Sequence, residues 1–157
     1  MNIFFLSTNP IKAAKLQCDK HVVKMILETA QMISTAHHEN GTSIDTDLLY
    51  KPTHKNHPST VWCRTSLANY EWIYEHFIAL CDEYTYRYGK THLSDTKFRK
   101  LFATAPYMSE YKMTKMPKCM PDEYKSGSIT ESYQAYYYYT KRSFAKYTNR
   151  PCPGFML

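Results

Sequence analysis

Between Asp19 and His38 the chain reads DKHVVKMILETAQMISTAHH, and its polar side chains recur at steps of three and four: His21, Lys24, Glu28, Gln31 and Thr35. At about 100° per residue these positions share one narrow arc of an α-helix, while valine, methionine, isoleucine and leucine side chains occupy much of the remaining circumference. A surface helix ordinarily carries a wide polar face. A thin acid/base stripe on an otherwise apolar helix therefore predicts a polar cavity inside the fold.

The same periodicity marks two further helices. After His57-Pro58-Ser59-Thr60, apolar and aromatic residues recur through Trp62, Tyr70, Ile73, Phe77, Leu80, Cys81 and Tyr84, and Gly89 supplies a stop. Ser128-Ile129-Thr130-Glu131 fits a capping box ahead of a tyrosine-rich helix running through Tyr133, Tyr136, Tyr137 and Phe144. Asn9 followed by Pro10 predicts an N-cap and first helical position, with that helix reaching about Cys18 and the striped helix reaching about His37. Ile3 to Leu6 reads as a short strand or an apolar anchor. His38 to Lys55 reads as a loop, Ser94 to about Ala103 as a shorter helix, and the stretch from Pro106 to Gly127 as irregular.

The chain has 157 residues, 43% of them hydrophobic, which suits one compact domain with a real core. Its formal charge of +6 permits an anionic partner, although the excess is spread along the chain. Four glycines form no phosphate-binding loop or dinucleotide fingerprint. The five cysteines are widely spaced without a CxxC pair, so reduced thiols are expected, with no zinc ribbon and no disulfide framework. No apolar run is long enough to span a membrane, which leads to the expectation of a soluble, cytoplasmic protein. Because Asn2 is not small, Met1 is expected to be retained.

Three clusters carry candidate chemistry. His21, Lys24 and Glu28 stack on one helix face, where Glu28 is suited to proton transfer and Lys24 to an electrostatic clamp or an amine nucleophile; the competing reading is a solvated i,i+4 ion pair. His54-Lys55-Asn56-His57-Pro58 places an HxxH at a loop-to-helix junction, suited to a phosphate or base contact, to capping, or less readily to a metal. Arg64, Asn69, Trp72 and His76 combine guanidinium, amide, ring and imidazole groups that suit a nucleobase and its phosphate, unless Trp72 is simply core and Glu83 with Arg87 a helix pair. Lys112, Lys115 and Lys118, interleaved with Tyr107, Tyr111 and Tyr124, suit either a phosphate backbone or a solvated loop.

Taken as a set, DKHVVKMILETAQ, HKNHPSTVW, NYEWIY, LCDEYTYRYGKTH and MPDEYK resemble, over nearly the full length, a widespread family of small phage-encoded proteins. Glu28 and His57-Pro58 carry a second resemblance, to the pyrimidine-dimer DNA glycosylases. These are small, basic, helical proteins with an early helix bearing a catalytic glutamate and, in the bacterial branch, a histidine-proline signature before a later helix. The resemblance implies that a chain's own α-amine attacks the sugar carbon and that a glutamate supports the resulting imine. Glu28 would take the second role, and the α-amine of Met1 or, failing that, Lys24 the first.

Together these readings lead to a mainly α, single-domain helical bundle over residues 1–157, with two long helices, a C-terminal tyrosine-rich helix and a short N-terminal strand as an option. The leading function is a phage enzyme acting on DNA or a nucleotide, glycosylase/lyase-like. Glu28, Lys24 and His21 are its catalytic candidates, and His54, His57, Arg64, Asn69, Trp72 and His76 its phosphate or base contacts. No metal and no cofactor is expected, and the partners are DNA or a small anionic nucleotide, with no membrane. The alternative is a non-catalytic counter-defence protein that sequesters a host signalling nucleotide. A homodimer is left open, since tyrosine and methionine suit an interface as well as a core.

Overall fold

The computed structural model describes all residues 1–157, and its regular elements are all helices. Six helices follow in order: α1 (Pro10–Leu16), α2 (Asp19–Asn40), α3 (Pro58–Cys63), α4 (Leu67–Tyr88), α5 (Leu93–Phe98) and α6 (Ile129–Lys141). The two long helices, α2 and α4, pack against each other, with α1 laid on α4 and α3 on α2. No helix is long and apolar enough to cross a membrane.

Caps set the boundaries. Asn9 accepts the Lys12 amide and Pro10 opens α1, as the Asn-Pro pair predicts. Gly41, with φ of 82°, closes α2 through its N–H to the His37 carbonyl, so the helix runs three residues past the expected end. Gly89 adopts the left-handed conformation that ends α4. The Ser128 side chain and Glu131 satisfy one another's backbone N–H groups in a complete capping box at α6.

The pattern that reads as one helix from Ser59 to Gly89 is two. Arg64 caps the end of α3, and Ser66 begins α4 by accepting the Asn69 amide. The helix expected over Ser94 to Ala103 is likewise divided into α5 and a single 3-10 turn at residues 101–103.

The optional N-terminal strand does not form. No second extended segment exists for it to pair with, and its polar groups are satisfied otherwise. Asn2 Oδ1 accepts the Ile3 and Phe4 amides at 2.8 and 3.2 Å, and Gln17 and Gln134 donate to the Ile3 and Leu6 carbonyls. Phe4 itself sits at φ of 59°, an unusual conformation for a bulky residue. Residues Ile3, Phe5 and Leu6 are buried as an anchor in a core that also takes Phe77 from α4, Phe98 from α5 and Tyr133 and Tyr137 from α6.

Candidate active site

The striped face of α2 lies differently from its sequence reading. Val23 and Leu27 are 39% and 42% exposed, so the first half of α2 runs along the surface, and the polar stripe marks a border between solvent and core. Lys24 stands outside with its side chain 69% exposed, while Glu28, a turn further along, is 15% exposed. Farther on, Thr35 is buried, its hydroxyl donating to the Gln31 carbonyl at 2.8 Å and accepting the Thr53 amide at 3.1 Å. From Lys24 to Thr35 the stripe thus descends from water into the protein, and Glu28 occupies the threshold.

Three other groups gather there. The Met1 α-ammonium nitrogen is 3.8 Å from Glu28 Oε2, and the Met1 side chain is almost fully covered. Lys24 Nζ approaches the other carboxylate oxygen at 3.5 Å. Asn2 fixes this end of the chain: besides the two backbone N–H groups that donate to its Oδ1, its Nδ2 donates to the Cys119 carbonyl at 2.8 Å. His57 caps α3 by accepting the Ser59 amide on Nδ1 at 3.1 Å, which leaves the proton of the neutral ring on Nε2. Burial lowers the His57 pKa from its ordinary value, the Met1 ammonium and His54 lower it further, and Glu28 opposes them, so the ring lies within electrostatic reach of both the amine and the carboxylate.

His21 is near this corner but serves packing. Its ring stacks on Phe4 at 4.5 Å between centroids and 16° between planes, and meets the Tyr137 edge. Burial, with Lys141 and Lys24 nearby, depresses its pKa to about 4, and its Nδ1 has no hydrogen-bond partner. At neutral pH it is an uncharged aromatic plate behind the N-terminal segment.

The remaining candidates disperse. His54 is exposed at φ of 47°, its Nδ1 2.9 Å from the Thr53 hydroxyl. Arg64 stands at the far end of α3 from His57. Asn69, Trp72 and His76 do share one face of α4, and that face is turned into the core. Asn69 Nδ2 donates to the Trp62 carbonyl at 2.9 Å and the Thr114 hydroxyl at 2.7 Å, while its Oδ1 accepts the Thr114 amide at 3.0 Å. Trp72 Nε1 donates to the Thr8 carbonyl at 2.7 Å. His76 Nδ1 is 2.9 Å from the Pro10 carbonyl, so it carries the proton and Nε2 accepts from Gln17 at 3.3 Å. No set of three potential metal ligands converges anywhere in the chain.

The arrangement brings a main-chain amine, a shielded carboxylate, a surface cation and a neutral imidazole to one corner. An amine beside a carboxylate can attack an electrophilic carbon while the carboxylate receives protons and pairs with the resulting cation. Asn2, which fixes the amine, and Cys119 and Ser59 beneath it have no distinguishing pattern in the sequence.

The family model for pyrimidine dimer DNA glycosylases matches residues 1–96, a span that includes Met1, all of α2 and His57. Neither a curated protein nor a solved structure matches the chain. With well over half its length covered by that model, the chain belongs to the pyrimidine dimer DNA glycosylase family.

Proposed function

We propose that the protein is a DNA glycosylase with lyase capacity, acting through the Met1 α-amine, with Glu28 as proton acceptor and counter-ion. The observation that carries this reading is the 3.8 Å approach of the amine to Glu28 inside the family-matched span. In the unprotonated form the amine attacks C1′ of a damaged nucleotide. The bond from C1′ to the base breaks, and the base leaves with the bonding pair and takes up a proton. The Glu28 carboxylate takes the proton lost by nitrogen and returns it to O4′ as the C1′–O4′ bond breaks and the nitrogen lone pair forms the C1′=N bond, so the positive charge of the resulting iminium again faces a carboxylate. His57, whose Nδ1 accepts the Ser59 amide and so leaves the ring proton on Nε2, would donate to an oxygen of the same nucleotide.

Lys24 is the competing nucleophile, and geometry favours Met1. The methionine side chain is held in the core, whereas the lysine ammonium swings on four methylenes in solvent and would lose that freedom before each attack. Lys24 fits better as an electrostatic clamp for a phosphate at the mouth of the site.

Borohydride reduction on duplexes containing an abasic site or a pyrimidine dimer tests the mechanism. A covalent adduct should form, peptide mapping should place it on Met1, and Glu28→Gln should suppress turnover by about a hundredfold or more. Intact mass should show Met1 present. An adduct on Lys24 would reverse the two assignments, and no adduct on any lesion would remove the mechanism. Recovery of an intact nucleotide from heat-denatured protein would then favour the sequestering alternative.

A further inference from the structure

Residues 106–127 lie outside the family-matched span and contain little regular structure, yet they are held tightly. The Leu67 and Ala68 amides donate to the Glu110 and Tyr111 carbonyls at 2.9 and 3.1 Å. Trp62 Nε1 donates to the Thr114 carbonyl, and Asn69 engages Thr114 through two hydrogen bonds. Tyr133 donates to the Pro117 carbonyl at 2.8 Å, and the Asn2 amide reaches Cys119. Buried polar groups from three parts of the fold are thus spent on fixing one irregular strap alongside α3.

Between the strap and α3 lie two adjoining hollows that share Thr65. The one nearer the catalytic corner, about 310 Å³, is lined by Pro58 and Trp62 on one side and Lys115 on the other. The second, about 480 Å³, is lined by Asn40, Arg64, Tyr107 and Ser109. No carboxylate lines either hollow, and neither Arg64 nor Lys115 has an acidic partner within ion-pair distance. Arg64 Nη1 is buried without any hydrogen-bond partner, a costly state for a guanidinium. The Tyr107 residue is 65% exposed.

We infer that this groove binds the phosphodiester backbone of the damaged DNA strand on one side of the lesion. Arg64 grips one phosphate and Lys115 another closer to the reacting sugar, with the Tyr107 ring as a surface for a base. The planar fork of Arg64 suits two phosphate oxygens. From the His57 cap to Arg64 the rise of α3 is about 10 Å, or roughly three base steps of duplex axis, which sets the separation of the gripped phosphate from the reaction centre. This inference rests on the glycosylase reading.

The test is fluorescence anisotropy on a duplex bearing an uncleavable abasic analogue, across a salt series. Arg64→Gln should weaken binding by about tenfold and lower the salt slope by about one, and Lys115→Gln should lower the slope similarly. A methylphosphonate series along the damaged strand should contain one position, roughly three nucleotides from the lesion, where removing the charge weakens binding by wild type but not by Arg64→Gln. Lys115 is exposed, so its variant keeps the test intact even if Arg64→Gln fails to fold. Unchanged affinity and slope in both variants, or equal losses for wild type and Arg64→Gln at every methylphosphonate position, would overturn the groove. Borohydride trapping by the wild-type protein on a reactive abasic duplex reads the chemistry by itself: an adduct on wild type with unchanged binding by both variants overturns the groove alone, and no adduct on wild type overturns the glycosylase reading.

Discussion

One helix, α2, supplies carboxylates to two ionic clusters built on opposite terms. At its start, Asp19 joins Glu83, Arg87 and Arg150. The Arg87 side chain is fully buried, and each of its nitrogens is engaged: Nε with Glu83 at 3.0 Å, Nη1 with Asp19 at 3.0 Å and the Gln17 carbonyl at 2.8 Å, and Nη2 with the Lys15 carbonyl at 3.0 Å. Arg150 closes the other side of Glu83 at 2.6 Å. Farther along, Glu28 meets Met1 and Lys24 at 3.8 and 3.5 Å, with the lysine in water. Saturated charges in a dry setting hold the fold and are costly to separate. Charges kept at longer range, with unfilled hydrogen-bonding capacity, can change partners during a reaction.

The largest effect should come from breaking the saturated cluster. Glu83→Gln leaves Arg87 and Arg150 without their shared carboxylate and should cost about 3–5 kcal/mol, a fall in Tm of about 6–20 °C by calorimetry, whereas Glu28→Gln should move Tm by only a few degrees. Comparable losses in the two variants would erase the distinction.

An intermediate effect is expected from acid. His21, His37 and His76 are held by burial at pKa values of about 4, below the ordinary 6.5, so the unfolded chain binds protons that the folded one refuses. Their stabilisation is complete above about pH 6.5 and is lost as pH falls towards 4, by up to about 3 kcal/mol for each group. Asp19 adds to the same trend at lower pH: burial acts to raise its pKa, hydrogen bonds from Thr148 and Arg87 outweigh it, and the pKa stays below the usual value. Thermal melts across this range should show the decline, and His21→Phe should make it shallower. A slope unaffected by that substitution would mean that His21 takes up its proton as readily in the fold as in the unfolded chain.

The smallest effect belongs to Lys24→Ala. Removing a solvent-exposed partner at 3.5 Å should change stability by less than about 1 kcal/mol. The rate of adduct formation under subsaturating DNA should fall several-fold, and an unaltered rate would reduce Lys24 to a bystander.

How much of this was readable beforehand follows from the kind of signal each feature leaves. Asn9-Pro10, Gly89 and the Ser128 box are local chemistry, and the helices begin or end there. The interruption at Arg64 to Ser66 was hidden because apolar periodicity continues through it; the serine cap was the available clue. Ile3 to Leu6 has strand-like composition, but a strand needs a partner that no local pattern reveals. Lys24 and Glu28 follow from i,i+4 spacing. Asn69, Trp72 and His76 show the limit of that logic, since periodicity groups side chains on a face without saying what lies opposite. The Met1 amine is a main-chain group with no side-chain signature, and only the family resemblance points to it.

Phe98, Phe102, Tyr133, Tyr137 and Met156, all beyond the ninety-six residues that the family model recognises, fill the same core as Phe5, Ile26 and Phe77. Ancestry is therefore written in a shorter stretch than the one thermodynamics requires. A fragment cut at the limit of recognisable kinship would keep its reactive corner on paper and, with a large part of its interior stripped away, have no stable scaffold to hold it.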